Sequence, residues 1–344
     1  MNNQFLSWNQ GTMILEKPTQ DPIITIQPVP FTHTIHYTPQ VYTHKVITDK
    51  EEAKSIWNLF ANPDVLFENW DFLMTFYNEF HHSLQFFVGY VWETPVGLIP
   101  LNLDTDTGKL ESFFSKKAQH PVFIKKWYEG VVDFLLSKIE SPINLEYVYF
   151  TSTQDWTPEG FDFQMGLYDL DVRPFESGEA YLQHINAGFP SKKRIKYNAE
   201  HRKVKEQISN ITVNRLSDIE TLFDFNIRSV TMEHYGEVSW FLNEPYKNGF
   251  RKLLQSSFET YLFSFEVDGK VHDIELVLKY GNTLYHLTGS TSKEIQNLGK
   301  FANLHVIDFA IKNGCSFYNA GTGDYNWKEK LGLNKVNLYK YVGK

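Results

Sequence analysis

His286, Asp324, Tyr325 and Lys328 are the residues whose types and spacing could do chemistry in this chain. His286 stands in the apolar run Leu284-Tyr285-His286-Leu287-Thr288, where an imidazole can take a proton near neutral pH. Asp324 and Tyr325 follow Gly321-Thr322-Gly323, and two glycines permit a sharp turn at the end of a strand, where the sites of α/β folds gather. Lys328 comes three residues after Tyr325, so a short helix would set both on one face. A base and an acid make a proton-transfer set, and Lys328 could contact a phosphate or a carboxylate beside them. Each member also has a plainer reading. His286 can be satisfied within its strand, since half of a strand's side chains face away from any cleft. Asp324 can cap the next helix, and Lys328 can be solvated. Asp273, Glu275 and the pair Glu233-His234 are further candidates that more often belong to a surface.

The elements that must position these groups run in a pattern that occurs twice. Phe86–Val91, Val96–Leu103 and Leu110–Phe114 read as three strands joined by tight turns, and Tyr261–Val267, Val271–Tyr280 and Thr283–Gly289 read the same way. A helix follows each meander, then a strand, a Trp-bearing loop and a last strand. The helices share a local match, Val131-Val132-Asp133-Phe134 against Val306-Ile307-Asp308-Phe309. The first of these helices is expected over Pro121–Ile139, the second over Gly299–Asn313. Alternation groups His286 with Leu284 and Thr288 on one strand face, and Tyr285 with Leu287 on the other. Repetition of one unit implies a cleft between or within the copies.

Three segments are expected along the chain. Residues 1–40, broken by Pro18, Pro22, Pro28, Pro30 and Pro39, form an extended arm in which Ile23–Ile26 adds one strand. Residues 41–175 and 176–344 form the two units, with a boundary near 174–190 where Pro174, Gly178, Gly188 and Pro190 fall.

The 344 residues carry a formal charge of −8. An acidic chain argues against a surface made wholly for nucleic acid, while leaving room for a local basic patch. The segment Ser191–Lys205 is such a patch: Lys192, Lys193, Arg194, Lys196, Arg202, Lys203 and Lys205 stand against Glu200 alone. It is either a solvated face or a field for an anion. The one cysteine, Cys315, excludes an internal disulfide and a cysteine zinc site, fits a reducing cytoplasm, and reads as a buried structural thiol beside an apolar strand. No metal site is expected. No stretch approaches the roughly 20 apolar residues of a membrane span, and Met1–Thr19 lacks the basic and apolar regions of a signal peptide.

The C-terminal order of strand, two helices, three antiparallel strands, helix, strand, helix and strand resembles the GNAT acyltransferase fold. Gln296-Asn297-Leu298-Gly299 before a helix, then Ser316 to Tyr325 with its Gly-Thr-Gly-Asp turn, then Trp327-Lys328, sharpen this to the double-GNAT group of CelD-like acetyltransferases and Fem-type aminoacyltransferases. The match covers about 120 residues well and the N-terminal half by topology only. The resemblance implies an α+β fold of two tandem GNAT-like domains, each a mixed, mostly antiparallel sheet flanked by helices. It implies that two strands splay apart to hold the pantetheine arm of acetyl-CoA or another acyl-CoA by their free backbone groups. It further implies that a helix N-terminus receives the pyrophosphate.

By the same resemblance, Leu287, Thr288, Gln296, Gly299, Lys300, Ala302 and Asn319 would hold the cosubstrate. His286, Asp324, Tyr325 and Lys328 would serve catalysis, with Tyr325 protonating the thiolate. The family's Gln/Arg-x-x-Gly-x-Gly/Ala pattern is broken here by Phe301, with Ala302 one place later. The first unit, with Lys116 to Pro121 lacking a glycine, reads as a degenerate copy without a phosphate loop.

The implied activity is a cytoplasmic N-acyltransferase acting by direct attack, since no suitable nucleophile is visible. Its acceptor would be an amine of a small molecule, an amino sugar or a cell-envelope glycan precursor. One alternative is a Fem-type transferase drawing on aminoacyl-tRNA, the only case in which a nucleic acid would be a partner. The other is a non-catalytic binding protein on the same fold.

Overall fold

The computed structural model of the chain describes residues 7–9, 12–14, 41–113, 119–151, 156–229, 239–324 and 326–343. They fall into two compact units, Met1–Val41 and Tyr42–Lys344. In the first, β1 (Ser7–Asn9) and β2 (Thr12–Ile14) pair antiparallel. The strand expected at Ile23–Ile26 lies outside the described residues.

The second unit opens with β3 (Tyr42–Ile47), α1 (Lys50–Phe60) and α2 (Trp70–Tyr77). Asp49 and Asn69 start these helices by accepting from the backbone N–H groups of Glu52 and Phe72. The first meander is β4 (His82–Val91), β5 (Thr94–Asp104) and β6 (Leu110–Ser112). Then come β7 (His120–Ile124), α3 (Val131–Leu136), β8 (Ile143–Phe150) and β9 (Asp162–Asp171). The second half runs α4 (Gly178–Ala187), α5 (Ser191–Gln207), β10 (Ile208–Val213), α6 (Asp218–Ser229) and α7 (Glu244–Gln255). The second meander is β11 (Glu259–Val267), β12 (Lys270–Tyr280) and β13 (Thr283–Thr291). The chain closes with α8 (Leu298–Lys312), β14 (Phe317–Thr322), α9 (Asn326–Lys330) and β15 (Asn334–Gly343).

One sheet of 13 strands carries both meanders, in the order β10-β11-β12-β13-β14-β9-β15-β8-β6-β5-β4-β3, with β7 bridging β5 and β8. The mixed α/β character and the mostly antiparallel pairing follow the expected fold class. The last strand knits the halves, because β15 pairs with β9 on one side and β8 on the other. On one face of the sheet, Trp57, Phe76, Phe223, Phe250, Leu262 and Leu276 join α1, α2, α6 and α7 into one apolar core. On the other face, Tyr181, Tyr197, Val277, Leu284 and Val306 seat α4, α5 and α8. Each such fully buried side chain contributes about 1.5–3 kcal/mol.

Two expectations give way here. Pro121–Ile139 is not one helix. His-Pro-Val-Phe-Ile forms β7, buried at every position between β5 and β8, and the helix is only Val131–Leu136. Gly130 sits at its N-cap, so the absence of a glycine before Pro121 says nothing about this helix start. Within the stretch 174–190, Ser177 accepts from the Ala180 N–H and starts α4. Finally, His286 and Thr288 do not share a face. His286 lies opposite Val277 and Thr288 opposite Leu276, a register shift that leaves Leu287 as an extra, bulged residue and turns the faces over.

Candidate active site

Alternation along β12 sends Asp273, Glu275 and Val277 to the α8 side of the sheet and Ile274, Leu276 and Leu278 to the opposite core. Neither acid is at the surface: Asp273 is 0% and Glu275 3% exposed. Opposite Glu275 stands Gly289, and a Cβ there would overlap the Glu275 Oε2. The missing side chain is what lets this carboxyl lie over the neighbouring strand. Thr291 donates to Asp273.

His286 joins this acid to the next strand. Its Nε2 lies 2.7 Å from Glu275 Oε2 and its Nδ1 lies 2.8 Å from the Tyr318 hydroxyl on β14. Tyr318 donates to Asn303 Oδ1 at 3.3 Å, and Asn303 Nδ2 donates to the Gly299 carbonyl at 2.7 Å in the first turn of α8. With the one phenol hydrogen spent on Asn303, Nδ1–H must donate to Tyr318. Nε2 then accepts, and Glu275 supplies the proton. Electrostatics agree with that assignment. Burial pushes the Glu275 carboxyl up to about 8. Burial, and then the Lys328 charge, press His286 down to about 4. Asp273 is raised well above its ordinary range, by burial first and the adjacent Glu275 second. At neutral pH the row is therefore carboxylic acid, neutral imidazole, phenol and amide, all donating in one direction.

The row ends at a fork in the sheet. β13 and β14 pair in parallel at Thr283–Phe317, Leu284–Tyr318 and Tyr285–Asn319, and at no position beyond. From His286 onward β13 keeps its ladder with β12 alone, while β14 turns to β9 through Thr322–Leu167. The bulged Leu287 sits one residue past His286, the first open position, with its backbone outside the regular ladder. Asn319 is the last paired residue, and its Oδ1 accepts from the Gly321 N–H at 3.0 Å. Gly321 and Gly323 take φ of +68° and +108°, the left-handed region that two glycines tolerate.

Lys328 turns inward to hold that turn, and Asp324, though exposed, is tied to its neighbours. The Lys328 ammonium is 2% exposed and donates to the carbonyls of Gly321 at 3.0 Å and Thr322 at 2.8 Å. Burial pushes it down to about 7. Asp324 accepts from the Tyr168 hydroxyl at 2.7 Å and pairs with Lys335 at 2.7 Å. Burial works to raise this carboxyl, but the bonds from Lys335 and Tyr168 outweigh it and hold the group below the usual range. Tyr325 lies outside the described residues.

The start of α8 lies beside the fork. Gln296 is exposed, and Asn297 takes the N-cap position at φ +67° with no side-chain cap bond. Gly299 is needed for close approach, since a Cβ would stand 2.5 Å from Thr291 Oγ1. Among the described residues, the N–H groups of Gly299 and Lys300 have no backbone partner, the free donors a helix start offers to an anion. Helix α5 packs over this turn: Lys300 Nζ stands 2.9 Å above the centre of the Tyr197 ring, and His201 stacks on Phe301 with ring centres 5.0 Å apart. Burial pushes Lys300 down to about 8. Ala302 is fully buried, so its side chain belongs to packing.

Tyr318 and Asn303 are the members that sequence reasoning missed. Their signal was weak: alternation on the strand after α8 and one polar residue on an apolar helix face. Among the described residues no group of three or more His, Cys, Asp or Glu side chains is placed to hold a metal, and no helix is long and apolar enough to cross a membrane.

A splayed parallel pair after a three-stranded meander, with a helix start beside the gap, defines the acyltransferase class known as GNAT. Residues 191–329 match the family model described as an acetyltransferase (GNAT) domain. Across the whole unit the fold is similar to the crystal structure of FemX (11% identity, 88% of this chain and 97% of that chain, TM-score 0.52). It is equally similar to a tandem GNAT protein from the clavulanic acid biosynthesis pathway, determined without AcCoA (11% identity, 88% of this chain and 99% of that chain, TM-score 0.52). At that identity the likeness is one of fold. No curated protein matches in sequence. The likeness to a GNAT domain is thus carried in sequence by residues 191–329 and over the rest of the unit by fold alone.

Proposed function

We propose that this chain is an N-acyltransferase that takes its acyl group from acetyl-CoA or a longer acyl-CoA and passes it to an amine. In this reading residues 41–175 are the degenerate copy and 176–344 carry the site. The observation that carries the proposal is the fork: β13 and β14 are bonded at three positions and parted from His286 onward, beside the free N–H groups of α8. The pantetheine arm would lie in that gap, held by the backbone of Leu287, Thr288 and the residues after Asn319. The phosphates would meet the turn Gln296 to Lys300.

The amine nitrogen attacks the thioester carbon, the C–N bond forms, the C–S bond breaks, and the sulfur leaves with the electron pair. A proton must leave the nitrogen and one must reach the sulfur. Glu275 changes state close to neutral pH, so the Glu275–His286 pair can serve as base in one state and acid in the other. Lys328 and Asp324 fix the turn that shapes the gap. The attack is direct: Cys315 is buried and its thiol is pushed up by burial, so it offers no thiolate.

Thermal melting with acetyl-CoA, longer acyl-CoAs and free CoA tests the reading. A ligand at a hundred times its Kd adds about 2.7 kcal/mol of stability and must raise the Tm. No shift with any of them overturns it. One observation favours a second donor, aminoacyl-tRNA: Lys192, Lys193, Arg194, Lys196, Arg202, Lys203 and Lys205 are all exposed on α5. The binding of tRNA would weaken steeply with salt, and that of CoA only slightly.

A further inference from the structure

Glu275, His286, Tyr318 and Asn303 make one limb of a polar circuit, which ends on the Gly299 carbonyl in the first turn of α8. A second limb starts from Asp273, two residues before Glu275 on the same strand face. Asp273 Oδ2 accepts from the Thr291 hydroxyl. Thr291 lies close under Gly299: a Cβ there would stand 2.5 Å from Thr291 Oγ1 and 3.7 Å from Asp273 Oδ2. Gly299 therefore closes the circuit, its carbonyl holding one limb and its Cα resting on the other. Its N–H and that of Lys300 have no backbone partner among the described residues.

Asp273 takes no part in the bonds that hold His286. It is 0% exposed, and its Oδ1 meets no donor of good geometry among the described residues. A carboxyl buried beside a second carboxyl is costly to hold. The first copy, with Gly97 at this place in its meander, folds without one. The groups packed around the two acids supply no counter-charge. Phe265 and Phe263 stand opposite them on β11, and His286 and Thr291 on β13, Tyr318 on β14 and Asn303 on α8 complete the surround. Lys300 turns to Tyr197 on α5, His201 stacks on Phe301, and His305 packs on Phe263 and Phe265. Lys328 bears on His286, but its ammonium donates to the carbonyls of Gly321 and Thr322. Among the described residues no lysine or arginine forms an ion pair with Asp273 or Glu275, and the ion-pair partner of Glu275 is His286. An anion seated on the Gly299 and Lys300 N–H groups would stand over the Asp273 end of this pair. Its charge opposes ionisation of either acid, and by reciprocity a protonated pair holds the anion more tightly.

We infer that Asp273 is a positioning residue that joins the first turn of α8 to the Glu275–His286 pair, so that the phosphates of the donor are taken up together with a proton. The inference rests on the acyl-CoA reading and adds a control to that site. The proton enters from solvent onto the Glu275 carboxylate as the donor binds. It leaves on the sulfur of CoA once the C–S bond has broken, and the proton lost by the amine returns to solvent, so each turnover balances. Glu275 lies at about 8, so its proton content near that pH responds to a charge at the turn.

The test is titration calorimetry of the full chain with acetyl-CoA at pH 8, in HEPES and in Tris, buffers whose heats of ionisation differ. The wild type takes up at least about a third of a proton for each acetyl-CoA bound, and its Kd weakens above pH 8 by up to about tenfold per unit, the slope of one linked proton. Glu275→Gln abolishes the uptake. Asp273→Asn lowers it by about half or more while acetyl-CoA still binds within about tenfold of wild type, because the free N–H groups remain. Thr291→Val keeps the volume, cuts the Asp273 limb at its hydroxyl and reduces the uptake in the same direction. Binding of acetyl-CoA by the wild type with no proton uptake overturns the inference and leaves the acyl-CoA reading standing. Uptake that survives in Glu275→Gln overturns it too, since the proton would then belong to Lys300 or His286. So does uptake unchanged in Asp273→Asn or, should that variant not fold, in Thr291→Val. If acetyl-CoA gives the wild-type chain neither heat nor a Tm shift, it is the acyl-CoA reading itself that fails.

Discussion

The two meanders are built alike and end differently. Strands β5 and β12 are each 11 residues long and each follows a tight hairpin. The fourth and sixth residues of β12 are Asp273 and Glu275, and those of β5 are Gly97 and Ile99. In the first copy Gly89 and Gly97 make room for the Val131 side chain of α3. In the second, Gly289 makes room for a carboxyl. The seams differ in the same way. β8 is paired in parallel with β6 at one end and with β7 at the other, so the first gap is closed at both ends. The corresponding gap between β13 and β14 is closed at one end only. Helix α3 has six residues where α8 has 15, so the first copy also lacks the turns that would stand beside a gap. A zipped seam with hydrocarbon under it is a scaffold. An open seam with acids, an imidazole and a helix start under it is a place for chemistry.

The largest effect should come from giving the second copy the residue of the first. Glu275→Ile removes the partner of His286 Nε2 and should lower kcat by about a hundred- to ten-thousandfold, the usual contribution of general acid–base groups. Glu275→Gln keeps the volume and should lose nearly as much. Turnover of either variant within a factor of about three of wild type would mean that the row does no catalysis.

Next in size is Gly289→Ala. The added carbon meets the Glu275 carboxyl, and overpacking of this kind costs about 1–3 kcal/mol. In a Glu275→Ala background the same substitution should cost at least about 1 kcal/mol less, because the clashing atoms are gone. Urea unfolding of the four proteins measures this. Additive costs would show that the glycine serves something other than the carboxyl.

How much of this contrast could be read beforehand depends on how local its cause is. The meanders were legible because alternation and turn residues are adjacent in sequence. Lys328 was legible as a position and not by its bonds: nothing local says that its ammonium turns inward to two carbonyls. β7 was hidden because Val122, Phe123 and Ile124 are strand only by virtue of lying between β5 and β8, and the mix of apolar and charged residues continuing to Leu136 imitates an amphipathic helix. The bulge at Leu287 was invisible, since it is a mismatch between two strands and not a property of either. Tyr318 and Asn303 were missed for the same reason. Their role comes from His286, which is distant in sequence and adjacent only in the sheet.

The acid pair also makes the second copy sensitive to pH where Gly97 and Ile99 have nothing to titrate. Glu275 lies at about 8 when folded, against an ordinary value of 4.5. A raised carboxyl favours folding below its unfolded pKa, and the contribution fades as pH rises through the folded value. The stability of the wild type relative to Glu275→Gln should therefore be greatest near pH 4.5 and shrink towards pH 8. His286, depressed to about 4, acts in the opposite sense between about 4 and 6.5, but it is present in both proteins and largely cancels. A difference in stability that is flat with pH would contradict the protonated state assigned to Glu275.

The smallest effect on stability, and the sharpest question about the donor, comes from α5. Its lysines and arginines are exposed, so replacing Lys192, Lys203 and Lys205 by Gln should change stability by no more than about 0.5 kcal/mol each. The Tm shift produced by acetyl-CoA should survive, because the free N–H groups of Gly299 and Lys300 belong to a different helix. If these three residues instead serve a polyanionic donor, their replacement should abolish binding of unfractionated tRNA at low salt and flatten its salt dependence by about one unit of slope for each phosphate no longer neutralised. Should acetyl-CoA binding fall with them, the basic helix would belong to the open seam, and the contrast between the copies would extend to α5.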